Sequence, residues 1–178
     1  LQVTKSFGTA APPIRVSVGE GGLSTTDLNT GSIYLAAKER DLGIGSIISD
    51  SVVEIRADHV VKAVTSETNI KAAALRILKS SAIGTKEQNL RTKISGNMEM
   101  ISAGDIYATE LGTANVKNIR STKNEGKVSL TAAGMVNCAE GGSAAITADN
   151  ITLHATAGDI GSSAKAMDVE VGSGTLNA

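Results

Sequence analysis

The sequence has no tryptophan, one phenylalanine (Phe7) and two tyrosines (Tyr34, Tyr107), so aromatic residues make up only 2% of its 178. An enzyme acting on carbohydrate, or a platform that stacks bases, spends more aromatic surface than this. Neither sign of charge is in excess: 17 Lys+Arg against 18 Asp+Glu leave a formal net charge of -1. That balance excludes the basic footprint of a nucleic-acid binder and a long acidic tail. Cysteine occurs once, at Cys138, which excludes an internal disulfide framework. No apolar run approaches the roughly 18 residues of a membrane-spanning helix. Asn-Gly and Asp-Gly, the strongest hairpin signals, are missing altogether.

What is present is a short alternation. Val53 to Ala57, Val128 to Ala132 and Ile151 to Ala155 alternate apolar with polar residues, the pattern of half-buried strands. Each run is bounded by turn residues such as Gly31-Ser32, Asn69, Gly104-Asp105, Gly126-Lys127 and Asp149-Asn150. Val60 to Leu78 is the one stretch apolar enough for a helix, but its β-branched Val60, Val61, Val64, Thr65, Thr68 and Ile70 argue against one.

A repeat overlies the alternation. Phe7 to Leu23 aligns without a gap on Ile160 to Leu176. Both open with an apolar residue and glycine. Three alternating apolar residues follow, Ile14, Val16 and Val18 against Met167, Val169 and Val171. A third copy runs from Ile83-Gly84-Thr85 through Leu90, Thr92 and Ile94, with looser apolar-Gly steps at Leu42-Gly43 and Leu111-Gly112. These steps lie 35, 41, 28 and 49 residues apart, which suits stacked coils with loops of unequal length.

Many short strands without hairpin turns, with Ala37, Ala57, Ala132 and Ala155 at strand ends, point to an all-β chain: a parallel β-helix solenoid. At roughly 20 residues per coil it makes about nine coils and a rod about 40 Å long. Residues 1–178 form one segment, expected to be a mature product or an excised piece of a longer stack. Its first and last coils share one phase and carry no cap, so the expected partners are further coils of the same parent chain or axial self-association.

The pattern Gly31-Ser32-Ile33-Tyr34-Leu35-Ala36-Ala37 with Asp41-Leu42-Gly43 returns as Ile151-Thr152-Leu153-His154-Ala155 with Gly158-Asp159-Ile160-Gly161. It resembles the repeat regions of filamentous-haemagglutinin-type exoproteins, very large bacterial secreted or surface proteins that include adhesins, leukotoxins and the stalks of contact-dependent toxins. Lys127 to Ala155 is the most similar stretch. The resemblance implies a right-handed β-helix stalk, exported to the cell surface or beyond, with a host-cell or cell-surface ligand and no catalytic motif to carry over.

Candidate chemistry is sparse. His154 is expected to face outward on its strand and His59 to lie at a turn, far from each other, so no metal site is read. Cys138 is expected to point inward together with Val136 as a small buried hydrophobe. Asp41, Asp105 and Asp159 could line up for calcium or glycan cleavage, or close turns by accepting backbone N–H groups. The dense calcium-binding nonapeptide is missing, which favours turn closure. Gly19-Glu20-Gly21-Gly22, Gly43-Ile44-Gly45 and Gly172-Ser173-Gly174 lack the Lys-Ser/Thr of a phosphate loop and are read as turns. Asn150-Ile151-Thr152 matches a glycosylation sequon by chance. Arg15, Glu54, Arg56, Arg76, Arg91, Lys93, Asp168 and Glu170 are expected outward as a solvated face that stacking could organise into a ladder. The leading expectation is a structural, interaction-bearing stalk segment of a secreted adhesin or exotoxin, without catalysis, cofactor or metal. The alternatives are a self-assembling extracellular filament or sheath subunit and a β-helical polysaccharide lyase or hydrolase.

Overall fold

A computed structural model describes residues 6–18, 21–25, 31–65 and 67–178. The strands, in chain order, are β1 (Ile14–Arg15), β2 (Leu23–Ser24), β3 (Ile33–Ala37), β4 (Leu42–Ile48), β5 (Val52–Ala57), β6 (Val60–Ala63), β7 (Ile70–Ala72), β8 (Ala74–Lys79), β9 (Ala82–Ile83), β10 (Leu90–Ile94), β11 (Asn97–Ser102), β12 (Ile106–Glu110), β13 (Thr113–Ser121), β14 (Lys127–Ala132), β15 (Gly134–Asn137), β16 (Ile146–Ala148), β17 (Asn150–Ala155), β18 (Val169–Val171) and β19 (Leu176–Asn177). No helix occurs among the described residues, and those of Val60 to Leu78 form β6, β7, most of β8 and the bends between them. Every strand pairing among the described residues is parallel. The strands fall into two sheets, β1-β3-β5-β8-β11-β13-β16-β18 with β15 beside β13, and β10-β7-β4-β6-β9-β12-β14-β17-β19 with β2 beside β4.

The period-two sequence pattern becomes packing through the register. Ile14, Leu35, Ile55, Ile77, Met100, Ile119, Ile146 and Val169 stack as one interior row through eight strands of the first sheet. Leu42, Val61, Ile83, Ile106, Val128, Ile151 and Leu176 form a facing row in the second. Most of these side chains are fully buried, each stabilising the fold by about 1.5–3 kcal/mol relative to exposure. The fold is a parallel β-solenoid, as the alternation leads one to expect.

The solenoid has about seven turns rather than nine, roughly 34 Å of stacked strands at the usual strand spacing. The shortfall has a physical source: residues leave the coil in outward excursions. Phe7 bridges to Ile33 and Ile14 pairs with Leu35, so seven residues of one coil span two of its neighbour. Ile83 with Ile106 and Leu90 with Ala108 repeat that arithmetic. In each excursion the glycine is left-handed, with φ of 81° at Gly8, 63° at Gly84 and 76° at Gly161. The next residue then closes a turn, with Thr9 N–H donating to Pro12 O, Thr85 to Gln88 and Ser162 to Lys165. The threefold sequence repeat therefore marks a loop-launching turn, not the coil itself.

Two glycine readings change accordingly. Leu42-Gly43 and Leu111-Gly112 do not launch such loops. Gly43 and Gly45 lie inside β4, not in a turn, because neighbouring chain approaches closely: a Cβ on Gly43 would come 2.8 Å from Val64 Cγ1. Gly19 and Glu20 lie outside the described residues.

A one-residue register correction applies to β15. Val136 is 43% exposed, whereas Met135 and Asn137 are buried. Asn137 points inward because its amide has partners there: Nδ2 donates to Ala166 O at 2.8 Å and Oδ1 accepts from Ala139 N–H at 2.9 Å. Cys138 is only half-buried.

Candidate functional site: the charged face of the first sheet

The outward residues of the first sheet stack as regularly as the inward ones. Tyr34, Glu54, Arg76 and Glu99 form one row, each in register with the next. Glu54 Oε2 accepts from Arg76 Nη1 at 2.9 Å, and Arg76 Nε donates onward to Glu99 Oε2 at 3.2 Å. Arg56, two residues along β5, donates to Glu54 Oε1. Glu54 is consequently not solvated, as the alternation suggests, but 2% exposed beneath two guanidinium groups. Outward phase and exposure differ wherever long cationic side chains fold over a shorter anion.

Beyond Glu99 the regular stacking is broken twice. The β11–β13 register shifts between Met98 and Glu99, admitting Lys117 as an extra residue in β13. Ile119 then pairs with Ile146, a longer step than any before it, and part of the intervening chain crosses the face, with Lys117 Nζ 3.7 Å from Glu140 Oε1. These irregularities flank two adjoining concavities of about 370 and 420 Å³. Both share Arg120, Thr147 and Glu170, which stack in register. Thr147 Oγ1 donates to Glu170 Oε2 at 3.4 Å, while Glu99 and Glu140 are held by Arg76 and Lys117. The lining is hydroxyl, amide and mixed charge, without an aromatic ring. Such a surface can hold a polar partner by hydrogen bonds and charge.

The sequence candidates lie apart. His154 is exposed on β17 and His59 exposed between β5 and β6. Asp41 Oδ1 accepts from Val60 N–H at 3.3 Å and Asp105 Oδ1 from Lys127 N–H at 3.0 Å, so both tie a turn to the next coil. Asp159 is exposed and supplies only its main-chain carbonyl, which accepts from Met135 N–H. Asn150 Oδ1 accepts from Thr175 N–H at 3.3 Å. Among the described residues no three metal-ligating groups converge.

Sequence reasoning passed over Glu110. It follows Ile106 and Ala108 in the inward phase of β12 and is 2% exposed. Thr92 Oγ1 donates to it at 2.7 Å, Ile94 N–H at 3.1 Å and Gly112 N–H at 3.0 Å. Burial pushes its carboxyl above the ordinary glutamate range, against the opposing pull of the Thr92 hydroxyl and the Ile94, Gly112 and Leu111 amides. Its phase in the alternation was the available signal.

Comparison with protein-family models, with curated proteins and with solved structures yields no match to this chain.

Proposed function

We propose that this chain is a stalk segment of a large exported bacterial adhesin or exotoxin, presenting surface to a partner and catalysing nothing itself. The observation that carries the reading is the uninterrupted eight-residue interior row, which stacks the coils into one continuous solenoid, with Arg76 joining Glu54 and Glu99 of the neighbouring coils on its outer face. A solenoid of stacked coils suits separation and display. The resemblance to filamentous-haemagglutinin-type repeats supports the same reading and the extracellular setting. Surface display of the chain on a bacterium that lacks adhesins, followed by counting of adherent host cells, tests it. Adhesion above the bare strain is expected. Turnover of an acidic polysaccharide, lost on Asp159→Ala, would overturn it in favour of a lyase or hydrolase.

A second reading is a self-assembling filament or sheath subunit. What favours it is a turn found near both ends of the described residues, launched from Gly8 and from Gly161. Strands β18 and β19 also pair on one side only among the described residues, leaving a row of backbone groups able to take up another strand. Electron microscopy of the purified chain distinguishes long filaments from single rods.

A further inference from the structure

On the outer side of the second sheet, the Gly84–Asn89 excursion comes up against Thr65 and encloses a concavity of about 220 Å³, with Arg91 and Thr109 completing its lining. Arg91 is held unusually firmly. Its N–H donates to Asn69 Oδ1 at 2.9 Å and its carbonyl accepts from Asn69 N–H at 2.8 Å. Asn69 is itself fully buried, and its Nδ2 donates to Ile44 O and Gly45 O one coil away. Yet among the described residues the Arg91 Nε is buried without a hydrogen-bond partner. A guanidinium is always charged, and a buried donor left unpaired is costly, so the Arg91 guanidinium, which lines the concavity, is short of the partners its charge calls for.

The neighbours define the ligand. Lys86 is exposed and makes no ion pair among the described residues. The Thr109 hydroxyl accepts from Asn89 Nδ2 at 3.2 Å and has its own hydrogen to give. Gln88 adds an amide, and Glu87, exposed, is the one carboxylate in the lining. The two cations, Arg91 and Lys86, repel a metal ion. Their spread around a small concavity suits an anion with acceptors pointing several ways better than a flat carboxylate. We infer that this pocket binds a tetrahedral oxyanion, a phosphate or sulfate group, with Arg91 as principal ligand and Lys86 and Thr109 as supporting donors.

The test is a nuclear magnetic resonance titration of the full chain with inorganic phosphate and with sulfate, following the Arg91 Nε–H signal, with sodium chloride at matched ionic strength as control. A saturable shift with phosphate, sulfate or both is expected, and the responding anion names the source. Arg91→Lys keeps the charge but loses the fork, and is expected to weaken binding about tenfold. Lys86→Ala, on an exposed loop where folding is not at risk, is expected to weaken it as well, while Lys71→Ala leaves it unchanged. The inference is overturned if no saturable shift appears, if chloride reproduces it, or if both the Arg91→Lys and Lys86→Ala proteins bind as tightly as the parent.

Discussion

The carboxylate of Glu110 accepts the main-chain N–H of Ile94, with both oxygens at 3.1 Å, at the point where the ladder between β10 and β12 stops. The register there pairs Thr92 with Glu110, and Leu111 N–H still donates to Thr92 O, but the chain then turns at Gly112 into β13. A side chain thus supplies the acceptor that the next strand would have provided.

This arrangement gives stability a readable pH dependence. Because burial raises the Glu110 carboxyl above its ordinary value, the folded chain binds that proton more tightly than the unfolded chain. The contribution to stability is therefore greatest at low pH and declines as pH rises from the ordinary glutamate value through the raised one. Glu110→Gln should remove that decline. The parent's urea midpoint minus that of the variant, measured across a pH series, is expected to fall toward high pH. A constant difference would mean that the folded carboxyl titrates normally.

The Glu54 network predicts an asymmetry. Removing the carboxylate with Glu54→Ala leaves two arginines, each nearly half exposed, that water can solvate, and should cost about 1 kcal/mol. Removing the cations with Arg56→Ala and Arg76→Ala together strands a buried anion and should cost about 3 kcal/mol. Denaturant unfolding of the three proteins decides the order, and a reversed order would show that Glu54 reaches water once uncovered.

In β15 the exposed and buried positions should respond oppositely. Val136→Lys should change stability by no more than about 0.5 kcal/mol. Asn137→Ala leaves the Ala166 carbonyl and the Ala139 amide without their partner and should cost about 1–3 kcal/mol. Thermal melts of both variants check the register.

Gly84 is the most demanding of the excursion glycines. Its φ is 63°, and an added Cβ would lie 2.2 Å from Tyr107 O and 2.8 Å from Leu90 N, both main-chain atoms that cannot swing aside. Gly84→Ala should destabilise by at least about 2 kcal/mol. Gly141→Ala, with a similar φ of 67° but nothing within 4 Å, should cost less, about 1 kcal/mol. Comparing their unfolding midpoints separates the steric term from the backbone term.

Strand identity and the inward or outward phase of most residues are properties of a few neighbouring positions, so they are written locally. Val128, Leu130 and Ala132 face in because alternation along a strand leaves no other choice once one face is buried. The same rule places Glu110 inward, a consequence that only its phase reveals. Which residues stack is a different matter. Ile119 meets Ile146 and Glu54 meets Arg76 because the excursions between them consume particular numbers of residues, and those lengths leave no mark on the alternation. The burial of Glu54, the inward turn of Asn137 and the partnerless Nε of Arg91 all arise from contacts between coils. Local pattern determined the strands; the tertiary stacking alone decided which charges meet, because a charge's environment is set by neighbours some twenty residues away in the chain.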